Sequence, residues 1–154
     1  MRKALWWVGG SLVVGLVVTY LGVFLSQPTD EQLILQALDE SIARSKEGRP
    51  GGIAELYWVE LTQLDGGATP TDVQNIRLAK PEVTVPARGI DMSGATPTIT
   101  SPFFMKISFF GTSMDMSANV KIVFSPERST QLLIFPVKRW RVTDVQYLGE
   151  LALE

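Results

Sequence analysis

Between Ala4 and Leu25 the chain reads ALWWVGGSLVVGLVVTYLGVFL, with no charged residue, immediately after Arg2 and Lys3. As a helix rising 1.5 Å per residue, this run is about 33 Å long, enough to cross a hydrocarbon core of ~30 Å. A transmembrane anchor is therefore expected, and every later segment must be read on one side of it. Trp6 and Trp7 suit one membrane interface and Tyr20 and Phe24 the other, while the first charges beyond are Asp30 and Glu31. The positive end marks the inside. The expected topology is a single-pass protein of the cell (inner) membrane, with a cytoplasmic N-terminus and a periplasmic or otherwise extracellular C-terminal domain. A cleaved signal peptide has the same charge order, but its apolar region usually spans only about 7–15 residues. GVFLSQ also offers no A-x-A-like cleavage site, which favours an uncleaved signal anchor. The expected organisation is 1–25 for stub and anchor, 26–29 for a short joint, and 30–154 for one extracytoplasmic domain.

Within the run, Ser11, Gly15 and Thr19 recur every four residues and Gly22 lies two turns beyond Gly15, so these small residues share one face. They are candidate helix-contact residues for another membrane protein or a second copy of the chain. Glycine is common in membrane spans, and a full G-x-x-x-G is missing from this stripe.

Composition narrows the chemistry. All 16 acidic residues follow the anchor, as do 12 of the 14 basic ones, so the domain carries 12 minus 16, or −4. That charge disfavours DNA, RNA and anionic headgroups as general partners. The chain has no cysteine and no histidine. Disulfides, thiolate nucleophiles, imidazole bases and the common zinc, copper and haem ligand sets are excluded with them. No catalytic residue, cofactor site or metal site is nominated.

Beyond the joint, Thr29 with Gln32 forms a capping-box arrangement, and Ile34, Leu35, Leu38 and Ile42 fall at helical spacing. Glu40 and Arg44 form an i,i+4 pair, and Gly48 with Pro50 ends the helix. Gly51 to Leu64 fits either periodicity, with a short helix favoured; DGGATP (Asp65 to Pro70) is a turn. Thr71 with Gln74 caps a brief helical turn through Ile76. From Glu82 the period becomes two. A strand is expected at Glu82–Val85, then a loop over Pro86–Pro102 with room for a short strand at Thr98–Thr100. Phe103, Met105, Ile107 and Phe109 define one face of the next strand. Met114, Met116, Ala118, Val120, Ile122 and Phe124 define one face of a longer one, the two joined by a turn at Gly111–Ser113. SPERS (Ser125 to Ser129) reads as a turn into a strand at Gln131–Val137, and the last strand covers Trp140–Leu148 with Trp140 and Val142 inward. The fold class is α+β: one or two helices packed on a curved antiparallel sheet of four to six strands.

Helices first, a glycine-containing joint, and a closing strand that reads RWRVTDV (Arg139 to Val145) resemble the nuclear transport factor two-like superfamily, with the cystatin-like fold as the nearest rival. The resemblance implies a cone-shaped α+β domain, a fold used by isomerases and cyclases and by many non-catalytic binding and assembly domains. Catalytic branches of the family use Asp with His or Tyr in the pocket. This chain has no His, and no Tyr and Asp pair falls on a family motif, so no family residue carries over.

Three further patterns have both a functional and a structural reading. Tyr57 and Trp58 are adjacent and cannot both enter one small core, so one can mark a pocket lip or partner surface. A catalytic cone would need a carboxylate beside Tyr57, with Asp144, Glu60 and Asp91 as the acids to consider; Asp115 between two methionines reads as a solvated strand residue. Met105, Met114 and Met116 could offer thioethers to copper(I), although methionine at alternating positions is usually core packing. Lys138, Arg139 and Arg141 form a basic run suited to an acidic partner or lipid phosphates, or simply a solvated strand end. These patterns point to a non-enzymatic membrane protein whose outer domain scaffolds another protein, as an accessory subunit of a membrane complex. The alternative is a membrane-anchored small-molecule-binding or weakly catalytic cone.

Overall fold

The computed structural model describes residues 13–22, 28–64, 69–109, 111–129 and 137–153. The chain divides into two units, Met1–Asp30 and Glu31–Glu154. In the first, α1 is helical over 13–22, and all ten side-chain positions are exposed. Those ten residues rise only about 15 Å, and among the described residues no helix is long and apolar enough to cross a membrane. The run from Ala4 to Leu25 extends on both sides into positions outside the described residues.

The second unit places helices before strands. They are α2 (Asp30–Glu47), α3 (Ile53–Leu64), α4 (Pro70–Leu78), β1 (Glu82–Thr84), β2 (Ile90–Asp91), β3 (Thr98–Phe109), β4 (Thr112–Ser129) and β5 (Val137–Leu153). The five strands form one antiparallel sheet in the order β1-β3-β4-β5, with β2 pairing on β3. The α+β class expected from the change of period is the architecture observed. Three helices precede the sheet rather than one or two, because the Thr71 turn is a full helix. Its N-cap is Thr69, two residues earlier than expected, with Pro70 at the first helical position and Asp72 closing the capping box.

α2 buries Ile34, Ala37, Leu38, Ser41 and Ser45, whereas Leu35 and Ile42 pack only at the margin. The core stripe is thus rotated towards two serines, which hold the next turn of chain. Ser41 Oγ donates to Gly51 O at 3.1 Å, and Ser45 Oγ accepts from Ala54 N–H at 3.0 Å. Gly52 permits this contact, since a Cβ there would lie 2.5 Å from Ser45 Oγ and 2.7 Å from its backbone nitrogen. α3 is helical, as favoured, and buries Ile53, Ala54 and Tyr57.

In the sheet, Phe103, Met105 and Ile107 of β3 and Met116, Ala118, Val120, Ile122 and Phe124 of β4 enter the core as their alternation predicts. Met114 does not: it is 50% exposed, opposite Ile107 near the free end of the hairpin. The expected loop over Pro86–Pro102 contains β2, and its last residues already belong to β3. Pro102 is accommodated opposite Asn119, and on the other flank of β3 the ladder is interrupted between the β2 pairing at Ile99 and the β1 pairing at Phe104. SPERS is not a turn but the end of β4, with Pro126 opposite Trp140. β3 pairing starts at Val123, so Pro126 has a strand neighbour on one flank only and its missing N–H breaks no second ladder. The strand expected at Gln131–Val137 lies outside the described residues except for Val137, which begins β5.

β5 is longer than the expected Trp140–Leu148. Three register shifts against β4 each place an extra residue on β5, so 17 residues from Val137 to Leu153 oppose the 14 from Met116 to Ser129. Extra residues on one strand bend and twist the sheet, and each also reverses the inward phase of the residues after it. Val142 points inward as expected, but after the shift at Thr143 the inward residue is Val145.

Candidate functional site

The nominated residues fall into three places. On α1, Thr19 Oγ1 donates back to Gly15 O at 2.8 Å, so its hydroxyl proton is bound within the helix. A Cβ built on Gly15 or Gly22 would meet nothing within 4 Å among the described residues, so close approach of another helix is sterically open at both. Ser11 lies outside the described residues.

Tyr57 and Trp58 separate as adjacent helical residues must. Tyr57 is fully buried, with its ring 4.6 Å from that of Phe103 at 38°. It belongs to the core, and of the two adjacent aromatics it is the one that presents no outer surface. Trp58 is half-buried and packs against the same core. Tyr57 Oη and Trp58 Nε1 are both buried without a hydrogen-bond partner among the described residues. Burial, and secondarily the Tyr147 phenol, push the Tyr57 hydroxyl up to about 12. No carboxylate contributes to that shift, so the catalytic pairing considered from sequence is not assembled around Tyr57.

The acids considered are engaged elsewhere. Asp91 is exposed and accepts from Ser93 N–H at 2.9 Å and Ser93 Oγ at 2.6 Å, bonds that hold its carboxyl below the ordinary value. Asp144 accepts from Val145 N–H at 2.9 Å and Gln146 Nε2 at 3.0 Å, just beyond the bulge at Thr143. Glu60 is half-buried on α3, and Asp115 is exposed opposite Lys106. Met105 and Met116 are registered opposite one another across β3 and β4 and are buried, whereas Met114 is exposed, so the three thioethers do not form one accessible set. Among the described residues, no group of three or more His, Cys, Asp or Glu could hold a metal ion.

The basic run opens β5, with Lys138, Arg139 and Arg141 exposed. Lys138 Nζ lies 5.0 Å from the Trp140 ring centroid, and Arg139 is registered against Glu127. Arg141 reaches the turn between α2 and α3: its Nη2 lies 3.1 Å from where a Cβ on Gly51 would stand. Arg44 Nη1 lies 3.2 Å from the same point. Arg44 also forms its expected pair with Glu40, at 2.6 Å through Nη2. Below the turn, Glu55 Oε2 accepts from Gly51 N–H at 3.0 Å and faces Arg77 Nε at 3.5 Å. That last contact is ionic rather than a hydrogen bond, since Arg77 Nε is buried without a hydrogen-bond acceptor.

Sequence reasoning nominates Arg141 but not Arg44 as its companion. The helical pair with Glu40 gives Arg44 a sufficient local explanation, and nothing local predicts contact with a strand almost a hundred residues later. Comparison with protein-family models, curated proteins and solved structures finds no match to this chain.

Proposed function

We propose that this chain is a non-enzymatic single-pass membrane protein of the cell membrane, whose outer α+β domain binds or scaffolds another protein, as an accessory subunit of a membrane complex. The observation that carries this reading is the surface of α1. Val13, Val14, Leu16, Val17, Val18, Tyr20 and Leu21 are all exposed, on every side of the helix. Water is a poor solvent for such a surface, and acyl chains are a good one. The uncharged run from Ala4 to Leu25 supplies the remaining length of the proposed span, and the side chain-free points at Gly15 and Gly22 are where a second helix would approach. Helices preceding a bulged antiparallel sheet also support the proposed kinship with the nuclear transport factor two-like superfamily.

Membranes carrying the full chain, washed with alkaline carbonate, test this reading. The wild type is expected in the pellet, with the outer domain open to protease added from outside. Val17→Lys places at mid-span a charge that costs about 2.5–3.5 kcal/mol on insertion scales, and shifts chain into the wash. Recovery of wild type in the wash would overturn the anchor. In detergent, Gly15→Leu is expected to shift a larger wild-type assembly towards monomer on size-exclusion chromatography.

A ligand-binding cone is the second reading, and one observation favours it: Tyr57 Oη and Trp58 Nε1 are buried without partners at the junction of α3 and the core. Such groups are satisfied when a polar ligand or ordered water reaches them. A crystal structure with that junction filled only by protein side chains would sink it.

A further inference from the structure

We propose that Arg44 and Arg141 form a clamp, centred on Gly51, for a single carboxylate presented by an acidic segment of a protein partner. The proposal rests on the outer domain being an interaction domain, and it names the chemistry of the contact. The two guanidinium nitrogens lie 3.2 and 3.1 Å from one point above Gly51. They can therefore be no more than 3.1 plus 3.2, or 6.3 Å, apart, close enough for like charges to disfavour one another.

Arg44 has one compensating carboxylate, Glu40, bound through Nη2. Among the described residues, Arg141 has no hydrogen bond or ion pair. Glu55, at the same turn, is directed to the Gly51 amide and Arg77 instead. Two cations from different elements thus converge with one paired anion, Glu40 on Arg44, and among the described residues no second anion relieves them.

Geometry selects its size. Charge-assisted bonds of ~2.7–2.9 Å from each guanidinium to the two oxygens of a carboxylate span a gap of this width. Glycine at position 51 lets both guanidinium groups close on the turn, since a side chain there would crowd both nitrogens and its φ of +78° disfavours one. An acidic protein segment is favoured over an anionic bilayer because the domain as a whole carries 12 basic against 16 acidic residues. Its net charge repels an extended anionic surface, whereas a local two-arginine site can still take one carboxylate.

Fluorescence anisotropy with a labelled hexaglutamate peptide and the full chain in neutral detergent micelles tests the clamp. Saturable binding is expected, weakened at least fivefold by Arg44→Gln and by Arg141→Gln. It should be unchanged by Arg49→Gln, whose guanidinium is exposed and already paired with Glu47. N-acetylglutamate is expected to displace the peptide better than glycerol 3-phosphate does. Equal losses from all three variants, or no saturable binding, would overturn the clamp. Stronger displacement by glycerol 3-phosphate would overturn its assignment to a protein carboxylate in favour of a phosphate headgroup. A chain that resists carbonate yet fails here loses only the clamp, whereas release by carbonate removes the membrane reading whichever way the peptide behaves.

Discussion

α1 and α2 are both rich in aliphatic residues, yet they solve opposite problems. In α2 the apolar residues form a stripe, so Ile34 and Leu38 reach 0% exposure against the sheet while Glu31, Asp39, Glu40 and Lys46 stay in water. In α1 they go all the way round, and exposure runs from 49% at Leu21 to 68% at Tyr20. A stripe can be satisfied by one neighbouring layer. A full apolar circumference needs apolar surroundings on every side, which a small domain cannot provide but a bilayer can. The same class of side chain therefore stabilises a protein core in one helix and, on the proposed membrane reading, specifies a solvent in the other.

The largest test of this contrast removes a core residue. Phe103→Ala, losing the ring against Tyr57, is expected to destabilise the domain by about 3–5 kcal/mol in denaturant titrations followed by tryptophan fluorescence. The same protein should still pellet with carbonate-washed membranes. If release from the membrane accompanied domain unfolding, the two regions would not have independent sources of stability.

Next in size is the Tyr57 hydroxyl. Its pKa is raised from 10.0 to about 12 in the folded state, so between those values the unfolded chain loses the proton first and stability falls as pH rises. The loss is on the order of 2 kcal/mol and complete once the folded phenol also titrates. Tyr57→Phe is expected to abolish this alkaline loss, and at neutral pH to be neutral or stabilising by about 1 kcal/mol, because it removes a buried group with no partner. A variant less stable at neutral pH would indicate that the hydroxyl has an acceptor in solution.

The smallest effect is local. Thr69→Ala removes the cap of α4 and is expected to cost on the order of 1 kcal/mol. Thr69 also holds the Asp72 carboxyl below its ordinary value, so the part of its effect that runs through that carboxylate is present above the unfolded carboxylate range and lost as pH falls through the folded value. Thermal melts of wild type and variant should therefore converge in acid. A gap that persists there would mean that the neutral Thr69 hydroxyl contact supplies the stability.

Features that depend on short range are legible in the residues. The α+β class, the α3 helix, the Glu40–Arg44 pair and the inward faces of Phe103–Ile107 and Met116–Phe124 come from spacing alone, because helix and strand periods act between near neighbours. Local signals mislead where a partner strand or a second cap residue overrides them. Pro102 and Pro126 read as breakers, yet each lies in a strand with an interrupted or missing ladder on one flank. Thr71 reads as a cap because Gln74 stands three residues on; Pro70 and Asp72 set the start at Thr69 instead.

By itself, the sequence determined that this chain has an uncharged apolar run at one end, no histidine or cysteine for chemistry, and two periods of hydrophobicity in the remainder. Only the tertiary structure decided that β5 carries three extra residues, that Tyr57 is core while Trp58 is half-buried, and that Arg44 and Arg141 meet over Gly51. Bulges, burial and converging charges depend on which distant segments become neighbours, and such proximity is a property of the folded chain rather than of any window along it.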